Sequence, residues 1–198
     1  MKKNLNLLIF VLVSCWALPV QALMLSIDPL FQEVPKGGTV DAALSISGLG
    51  DGQAPSLGAF DLDVEYNPSI LSFTSAAYGD QLDLWVLGSL EETVPATGKV
   101  NLFGVSFDSI ADLENYQADS FTLATLTFTA LALGTSPLDI SVIALGDARG
   151  EAITDYTINN ASVDVVPEPA TVTLLGGGLA GIALWRRKKT RQPDSGDH

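Results

Sequence analysis

Strict alternation of apolar and acidic side chains marks one segment of the chain, Phe60-Asp61-Leu62-Asp63-Val64-Glu65-Tyr66. Because successive side chains of a β-strand point to opposite sides of the sheet, this spacing puts four apolar residues on one face and three carboxylates on the other. One dry face and one wet face are typical of antiparallel sheets packed face to face, and not of parallel sheets covered by helices.

The same two-residue period continues on both sides of this segment. The other segments that carry it are residues 40–47, 100–107, 121–129, 138–142 and 158–165. Gly, Pro, Asn and Asp interrupt the pattern about every ten residues, as turns between short strands do. Residues 109–116 are the one helical candidate between these strands. The sequence therefore predicts a single all-β domain over residues 23–165, an antiparallel β-sandwich.

A cleaved signal peptide is predicted at residues 1–22. Two lysines precede an apolar run that is shorter than the ~20 residues a membrane span needs, and small residues lead to a cleavage site between Ala22 and Leu23. A competing interpretation is that Leu12-Val13-Ser14-Cys15 is a lipobox, whose cysteine would be lipidated.

A membrane anchor is predicted near the C-terminus. Val166-Pro167-Glu168-Pro169 ends the domain, because proline cannot continue a strand ladder. Residues 170–185 are uncharged and would span only ~24 Å as a helix, so they predict a single, weak transmembrane helix. The basic cluster that follows would stay in the cytoplasm with a polar tail at 192–198; it consists of Arg186, Arg187, Lys188 and Lys189.

The predicted domain is strongly acidic. Residues 23–166 contain 20 Asp or Glu against Lys36, Lys99 and Arg149, a formal net charge of −17. Such a surface repels phosphate backbones, so nucleic-acid binding is excluded as a function.

Two residue types that carry much of enzyme chemistry are missing from the predicted domain. Cys15 is the only cysteine and lies in the signal peptide, and His198 is the only histidine and lies at the C-terminus. This excludes Ser-His-Asp and Cys-His catalysis and histidine-ligated metals, and predicts a protein that is not an enzyme. Glycoside hydrolysis by two carboxylates is a remote alternative, and no pair is marked for it.

The C-terminal segment resembles the PEP-CTERM sorting signal. The resemblance rests on Val166-Pro167-Glu168-Pro169, the Gly-rich apolar run and the basic cluster in that order, and covers residues 166–191. It implies processing by an exosortase in a Gram-negative bacterium that also makes exopolysaccharide. The chain would cross the inner membrane, be anchored transiently, and then reach the cell surface or extracellular space.

The domain resembles the cohesin-like β-sandwich. Within residues 58–71 the alternating strand ends in Tyr66-Asn67-Pro68, and a short turn precedes Leu71. Thr39-Val40 and residues 123–128 fit the same pattern. The resemblance implies a jelly-roll-like sandwich of about nine strands, an architecture shared with several carbohydrate-binding modules. Cohesins bind dockerins, but no residue of this chain can be assigned to that contact from the sequence.

Two acidic sets are candidate ligands for Ca²⁺, although a solvated surface explains either set as well. They are Asp61, Asp63 and Glu65 on one strand, and Asp108, Asp112 and Glu114 in one loop. No other cofactor is predicted.

Trp85 lies between Leu84 and Val86 and is therefore expected in the core.

Three functions remain open at this stage. The first is an exported, non-enzymatic surface or matrix protein associated with exopolysaccharide or biofilm, acting in adhesion or structure. The second is a module that binds a carbohydrate or a dockerin, with or without calcium. The third is a glycoside hydrolase. The expected partners are an exosortase and either exopolysaccharide or another surface protein.

Overall fold

The computed structural model describes residues 22–50, 52–168, 178–180 and 182. Between residues 22 and 168 the described chain forms eleven strands and one helix, and residues 178–180 and 182 are also helical. The strands are β1 (Leu23–Asp28), β2 (Phe31–Pro35), β3 (Thr39–Ser47), β4 (Leu57–Tyr66), β5 (Leu71–Tyr78), β6 (Ser89–Ala96), β7 (Lys99–Ser106), β8 (Ser120–Ala130), β9 (Gly134–Asp147), β10 (Tyr156–Asn159) and β11 (Ala161–Val166). Helix α1 (Ile110–Tyr116) occupies the segment expected to be helical.

Two sheets pack face to face, which confirms the predicted sandwich. The smaller sheet has the strand order β10-β1-β3-β8-β5, and the larger has the order β2-β11-β9-β4-β7-β6. The prediction of about nine strands was too low, and two strand pairs depart from the predicted antiparallel arrangement. Strand β1 pairs with β10 in parallel, and β11 pairs with β2 in parallel.

Both differences arise at one edge of the sandwich, where the chain twice passes from the smaller sheet to the larger one within one or two residues. It leaves the smaller sheet after Asp28 and enters the larger one at Phe31, and it makes the same change between Asn159 and Ala161. The side chain of Asn160 holds the second crossing, because its Oδ1 accepts a hydrogen bond from the amide of Ile140 at 3.0 Å. Residues that alternate without a break therefore divide into separate strands in different sheets.

The core lies between the sheets and is built from the apolar half of each alternating strand. Its aromatic centre is Phe128, which packs edge-on against Tyr66 at 5.1 Å and Phe73 at 5.8 Å between ring centroids. The largest fully buried side chains are Phe60, Phe128, Leu25, Ile27, Leu44, Ile46, Leu57, Leu62, Leu71, Leu102, Leu126 and Leu138. Burial of this apolar surface supplies the main stabilising free energy of the fold.

The two ends of the sandwich differ in what they carry. Strand β11 runs beside the first half of β9 and ends where Val165 pairs with Gly134, so the chain leaves the domain at this proximal end. Strand β9 extends to Asp147, which pairs with Leu57 at the opposite, distal end. Helix α1 is also at the distal end, since Gln117 beside it hydrogen-bonds the backbone of Leu57.

The terminal signals fall mostly outside the described residues. Residues 1–21 of the predicted signal peptide, Pro169, most of the predicted transmembrane helix and the basic cluster from Arg186 to Lys189 are not described. Among the described residues, no helix is long and apolar enough to cross a membrane. Val166 ends β11, and Pro167 and Glu168 follow it as exposed residues without regular structure.

Candidate functional site

The exposed side of the larger sheet is the candidate site, and we call it the outer face. It comprises the residues that alternate with buried ones along its four long strands, because register and period fix their direction. These residues are Leu90, Glu92 and Val94 of β6; Lys99, Asn101, Phe103 and Val105 of β7; Asp61, Asp63 and Glu65 of β4; and Asp139, Ser141 and Ile143 of β9.

A fixed polar cluster forms the centre of this face. The Asn101 amide donates to Asp61 Oδ1 at 2.6 Å and to Asp63 Oδ1 at 3.1 Å. Lys99 Nζ donates to Asp63 Oδ2 at 2.8 Å, so both oxygens of this carboxylate have a partner. The same hydrogen bond raises the pKa of Lys99 above its ordinary value. Pairing of this kind lets Asp63 be buried, whereas an unpaired buried carboxylate would be costly.

Exposed apolar side chains flank the polar cluster on both sides. Leu90 and Val94 lie on the edge strand β6, and Ile143 lies on β9 beside a bulge in its pairing with β4. Each exposes about half of its surface or slightly more. A sheet face with apolar flanks around an acidic centre can bury area against another protein while its charges select a basic partner.

The first acidic set was expected to be wholly exposed, and it is not. Asp61, Asp63 and Glu65 do share the outer side of β4, but Asp63 is only 7% exposed. Asn101 joins the first two, while Glu65 stands apart, opposite Lys99 in the register of β4 and β7. The sequence analysis missed Lys99 and Asn101. Their signal was the register of β4 with β7, which could not be read from one strand.

The second acidic set does not converge on one point. Asp108 is nearly buried and accepts the amide of Leu84 at 2.8 Å, which ties the loop before β6 to the segment before α1. Asp112 belongs to the N-cap of α1, where its amide and carboxylate both bond to Ser109 Oγ. Glu114 pairs with Arg149 at 2.8 Å, and this hydrogen bond raises the pKa of the guanidinium.

Neither set forms a group of three metal ligands. Across the part of the chain that the structure describes, no three His, Cys, Asp or Glu side chains are arranged to hold a metal ion. Calcium binding by Asp61, Asp63, Glu65, Asp108, Asp112 or Glu114 stays a prediction.

The expected position of Trp85 was wrong. Its side chain is 53% exposed and packs edge-on against Tyr116, with 5.5 Å between ring centroids. The apolar residues around it form a loop instead of a strand, so alternation had no bearing on their burial.

Tyr78 is the aromatic residue that does reach the core edge, where its hydroxyl bonds Thr93 and the carbonyl of Glu92 across the open side of the sandwich. Burial raises the pKa of this hydroxyl.

Two family models match the chain, in adjoining segments. The PEP-CTERM protein-sorting motif matches residues 165–188, and the cohesin domain matches residues 31–165. The first implies export and sorting to the cell surface. Among curated proteins, no sequence matches this chain.

Solved cohesin structures are similar to the domain. The seventh type I cohesin of ScaB from Pseudobacteroides cellulosolvens has a TM-score of 0.59 at 14% identity, over 75% of this chain and 94% of that one. A non-cellulosomal cohesin from the archaeon Archaeoglobus fulgidus gives 0.56 at 17% identity, over 77% and 96%. The sixth cohesin of scaffoldin B from Acetivibrio cellulolyticus, solved in complex with a mutant Cel5 dockerin, gives 0.59 at 19%, over 73% and 99%. At these identities the structures support the fold alone, but the cohesin model spans more than half of the chain, and the protein therefore belongs to the cohesin family.

Proposed function

We propose that this chain is a non-enzymatic surface protein whose cohesin module binds another secreted or surface protein through the outer face. The observation that carries the proposal is the arrangement of that face: a fixed, paired acidic centre flanked by exposed Leu90, Val94 and Ile143. An apolar contact area with charges at defined positions is what a selective protein interface requires.

The chemistry of the outer face favours binding over catalysis. Glycoside hydrolysis needs an acid and a base on opposite sides of a cleft, with a gap for the sugar between them. Asp61 and Asp63 instead lie on the same side of one strand and share one amide donor, and Asp63 is already paired with Lys99. These hydrogen bonds hold the two carboxylates in place on the outer face.

The partner we propose is a dockerin-like protein with basic residues near its apolar contacts. Several similar cohesins were solved as complexes with dockerins, among them OlpA and OlpC of Clostridium thermocellum. The acidic centre here would favour Lys or Arg on the partner, and the formal charge of −17 over residues 23–166 would speed the encounter.

Export and release follow the sorting signal in this proposal. An exosortase of a Gram-negative inner membrane recognises Pro167-Glu168-Pro169, the helix at 170–185 anchors the chain only until cleavage, and the cohesin module then works in an exopolysaccharide-rich surface layer. The exposure of Pro167 and Glu168 directly after β11 supports access by a processing enzyme.

A crosslinking experiment in the host tests the binding role. A photoreactive side chain replaces Val94 or Ile143 on the outer face, or Ser72 on the exposed side of the smaller sheet as a matched control. We expect both outer-face positions to crosslink to one protein and the control position to give no such adduct. Equal adducts at all three positions, or adducts with polysaccharide only, would contradict the proposal.

A second experiment tests the sorting. The mass and location of the mature chain are compared between the wild type and a Pro167→Ala, Pro169→Ala double variant. Release without residues 170–198 in the wild type, and a full-length membrane-bound variant, are the expected results. If both keep the tail, exosortase processing is wrong even though the binding proposal can still stand.

A further inference from the structure

A second apolar surface lies at the distal end of the sandwich, just beyond the strand ends that bound the outer face. We call it the distal tip. Its residues come from the loop before β6, the segment before α1, and α1 itself; they are Trp85, Val86, Leu87, Phe107, Ile110 and Tyr116. Val86 is 87% exposed and Leu87 68%, more than the apolar residues of the outer face. Exposed apolar residues gathered in one place mark an interaction site more reliably than scattered ones.

The loop that carries the tip is held in a defined conformation. Asp83 Oδ1 accepts the amide of Gly88 at 2.8 Å, and Asp108 Oδ2 accepts the amide of Leu84 at the same distance. Trp85 packs edge-on against Tyr116 of α1. Three contacts thus fix both ends and the middle of a five-residue loop, so a partner would meet a preformed surface at little cost in conformational entropy.

Val86 stores backbone strain at the point of this loop. Its φ is +55°, a left-handed conformation that β-branched residues rarely adopt, and it is the only described non-glycine residue with positive φ. Such strain costs on the order of 1–3 kcal/mol and persists only where the surroundings impose it. Gly, Asn or Asp would fit this backbone better, so stability does not explain an apolar side chain here.

The position of the tip separates it from the predicted membrane anchor. The chain leaves the sandwich at the proximal end, beside Gly134, whereas β6 begins where Ser89 pairs with Ser106 at the distal end. Strand β9 runs from Gly134 to Asp147 between these ends, which at ~3.3 Å per residue is about 40 Å. The tip therefore faces away from the side on which the sorting signal begins.

Charge around the tip is almost entirely negative. Asp80 and Asp83 lie in the same loop, and Asp112 lies on α1. Asp108 lies directly behind the loop, where its Oδ2 accepts the amide of Leu84. The lysines at 36 and 99 lie at the proximal end, next to Val166 and to the β6–β7 turn, and Arg149 is paired with Glu114.

We propose that the distal tip is a second docking site, an apolar knob that inserts into an apolar pocket with a basic rim on a protein partner. The high exposure of Val86 and Leu87 calls for a pocket that can enclose them, and the surrounding carboxylates call for Lys or Arg at its rim. A second copy of this chain would bring a surface of the same sign to the tip and be repelled. The tip borders the distal end of the outer face at Leu90 and Val105 but lies beyond the ends of the strands, so the module can contact two partners or two surfaces of one.

Photo-crosslinking of the full-length chain in its host tests the site. A photoreactive side chain replaces Leu87, and the matched control replaces Leu133, which is 53% exposed at the proximal end between β8 and β9. We expect a single heterotypic protein adduct at Leu87 and none at Leu133. The crosslinked peptide should border an apolar pocket with Lys or Arg, and about 1 M salt should reduce the yield by screening.

One substitution separates the apolar contribution from folding and charge. Val86→Asp suits the left-handed backbone and keeps the negative sign of the tip, so it should preserve the fold but remove the apolar contact. We expect the Leu87 adduct to fall about tenfold or more, while any adduct at Val94 keeps its yield. An adduct between two copies of the chain, an adduct with lipid or polysaccharide, equal labelling at Leu133, or no adduct at Leu87 would each overturn the proposal.

Discussion

The two sides of strand β4 differ in burial and in side-chain chemistry, although their residues alternate along one strand. One side carries Phe60, Leu62 and Val64, all of which are buried in the core. The other carries Asp61, Asp63 and Glu65, two of which share an amide donor on the outer face. The core side stabilises the fold because its side chains bury apolar surface and pack closely. The outer side carries carboxylates, and the buried one, Asp63, is paired with Lys99 and Asn101.

This contrast teaches that the two sides should respond differently to mutation. Core positions are sensitive to volume, since the interior is close-packed and cavities are filled poorly. Outer positions are sensitive to the loss of a partner, and only where burial makes that loss costly. The following predictions test this division, from the largest expected effect to the smallest.

Leu62→Ala is expected to give the largest loss. Leu62 is fully buried, so truncation removes apolar contacts and leaves a cavity, at about 2–5 kcal/mol of unfolding free energy. Denaturant unfolding of this variant and of Glu65→Ala, which truncates an exposed residue on the outer side of the same strand, measures the difference. The Glu65 variant should stay within about 0.5 kcal/mol of the wild type. Equal losses would remove the distinction between the two sides.

Gly104→Ala should cost about 1–3 kcal/mol through overpacking. A Cβ at Gly104 would lie 2.6 Å from Cε1 of Phe60, on the core side of β7. Gly146→Ala is the matched control in the neighbouring pair of strands, where a Cβ would meet only the Cβ of Ala59 at 3.9 Å. Thermal unfolding should show a clear drop in Tm for the first variant and little change for the second. A tolerated alanine at 104 would mean that the core side is less tightly packed than described.

Asp63→Ala should be the most destabilising change on the outer face, at about 1–2 kcal/mol. It removes the acceptor of both Asn101 and Lys99, and the Asn101 amide, itself half-buried, loses one of its carboxylate partners. Lys99 reaches solvent and regains water, which keeps the cost at the lower end. Asp61→Ala serves as comparison, because Asp61 is more exposed and binds Asn101 alone. A loss at Asp61 equal to that at Asp63 would contradict the role given to burial.

The smallest effect concerns pH. The Lys99 pKa is raised in the folded state by its hydrogen bond to Asp63, so Lys99 stabilises the fold fully below about pH 10.5, and this contribution is lost as pH rises through the folded pKa. The stability difference between wild type and Lys99→Met should therefore shrink above that pH. The difference between wild type and Leu62→Ala should not depend on whether Lys99 is charged. A Lys99→Met gap that stays constant in alkali would show that the ion pair contributes nothing measurable.

Alternation predicted the fold class and the sides of β4 because it follows directly from strand geometry. It predicted neither the count of eleven strands nor the parallel pairs. Both depend on where the chain changes sheets, and at the second crossing the side chain of Asn160 accepts a hydrogen bond from the amide of Ile140. A contact between residues 20 positions apart leaves no mark in the local pattern.

Only half of the residues that form the polar cluster of the candidate site could be predicted from the sequence. The carboxylates of β4 were visible in the sequence, but Lys99 and Asn101 join them through the register of β4 with β7. The distal tip was hidden for a different reason. Trp85 and its neighbours are as apolar as core residues, but they lie in a surface loop that is held by the hydrogen bonds from Leu84 to Asp108 and from Gly88 to Asp83.

The position of β11 also determines how the module would bear a mechanical load. This last strand lies between β2 and β9, hydrogen-bonded to both along its length, and its C-terminal residue is at the proximal end. A pull on Val166 against a partner held at the far side would act along the strand axis and load all of these hydrogen bonds at once. Rupture would then require shearing two ladders together instead of opening them one bond at a time. A surface protein tethered through its C-terminus would thus meet the force of flow with two hydrogen-bond ladders loaded in shear.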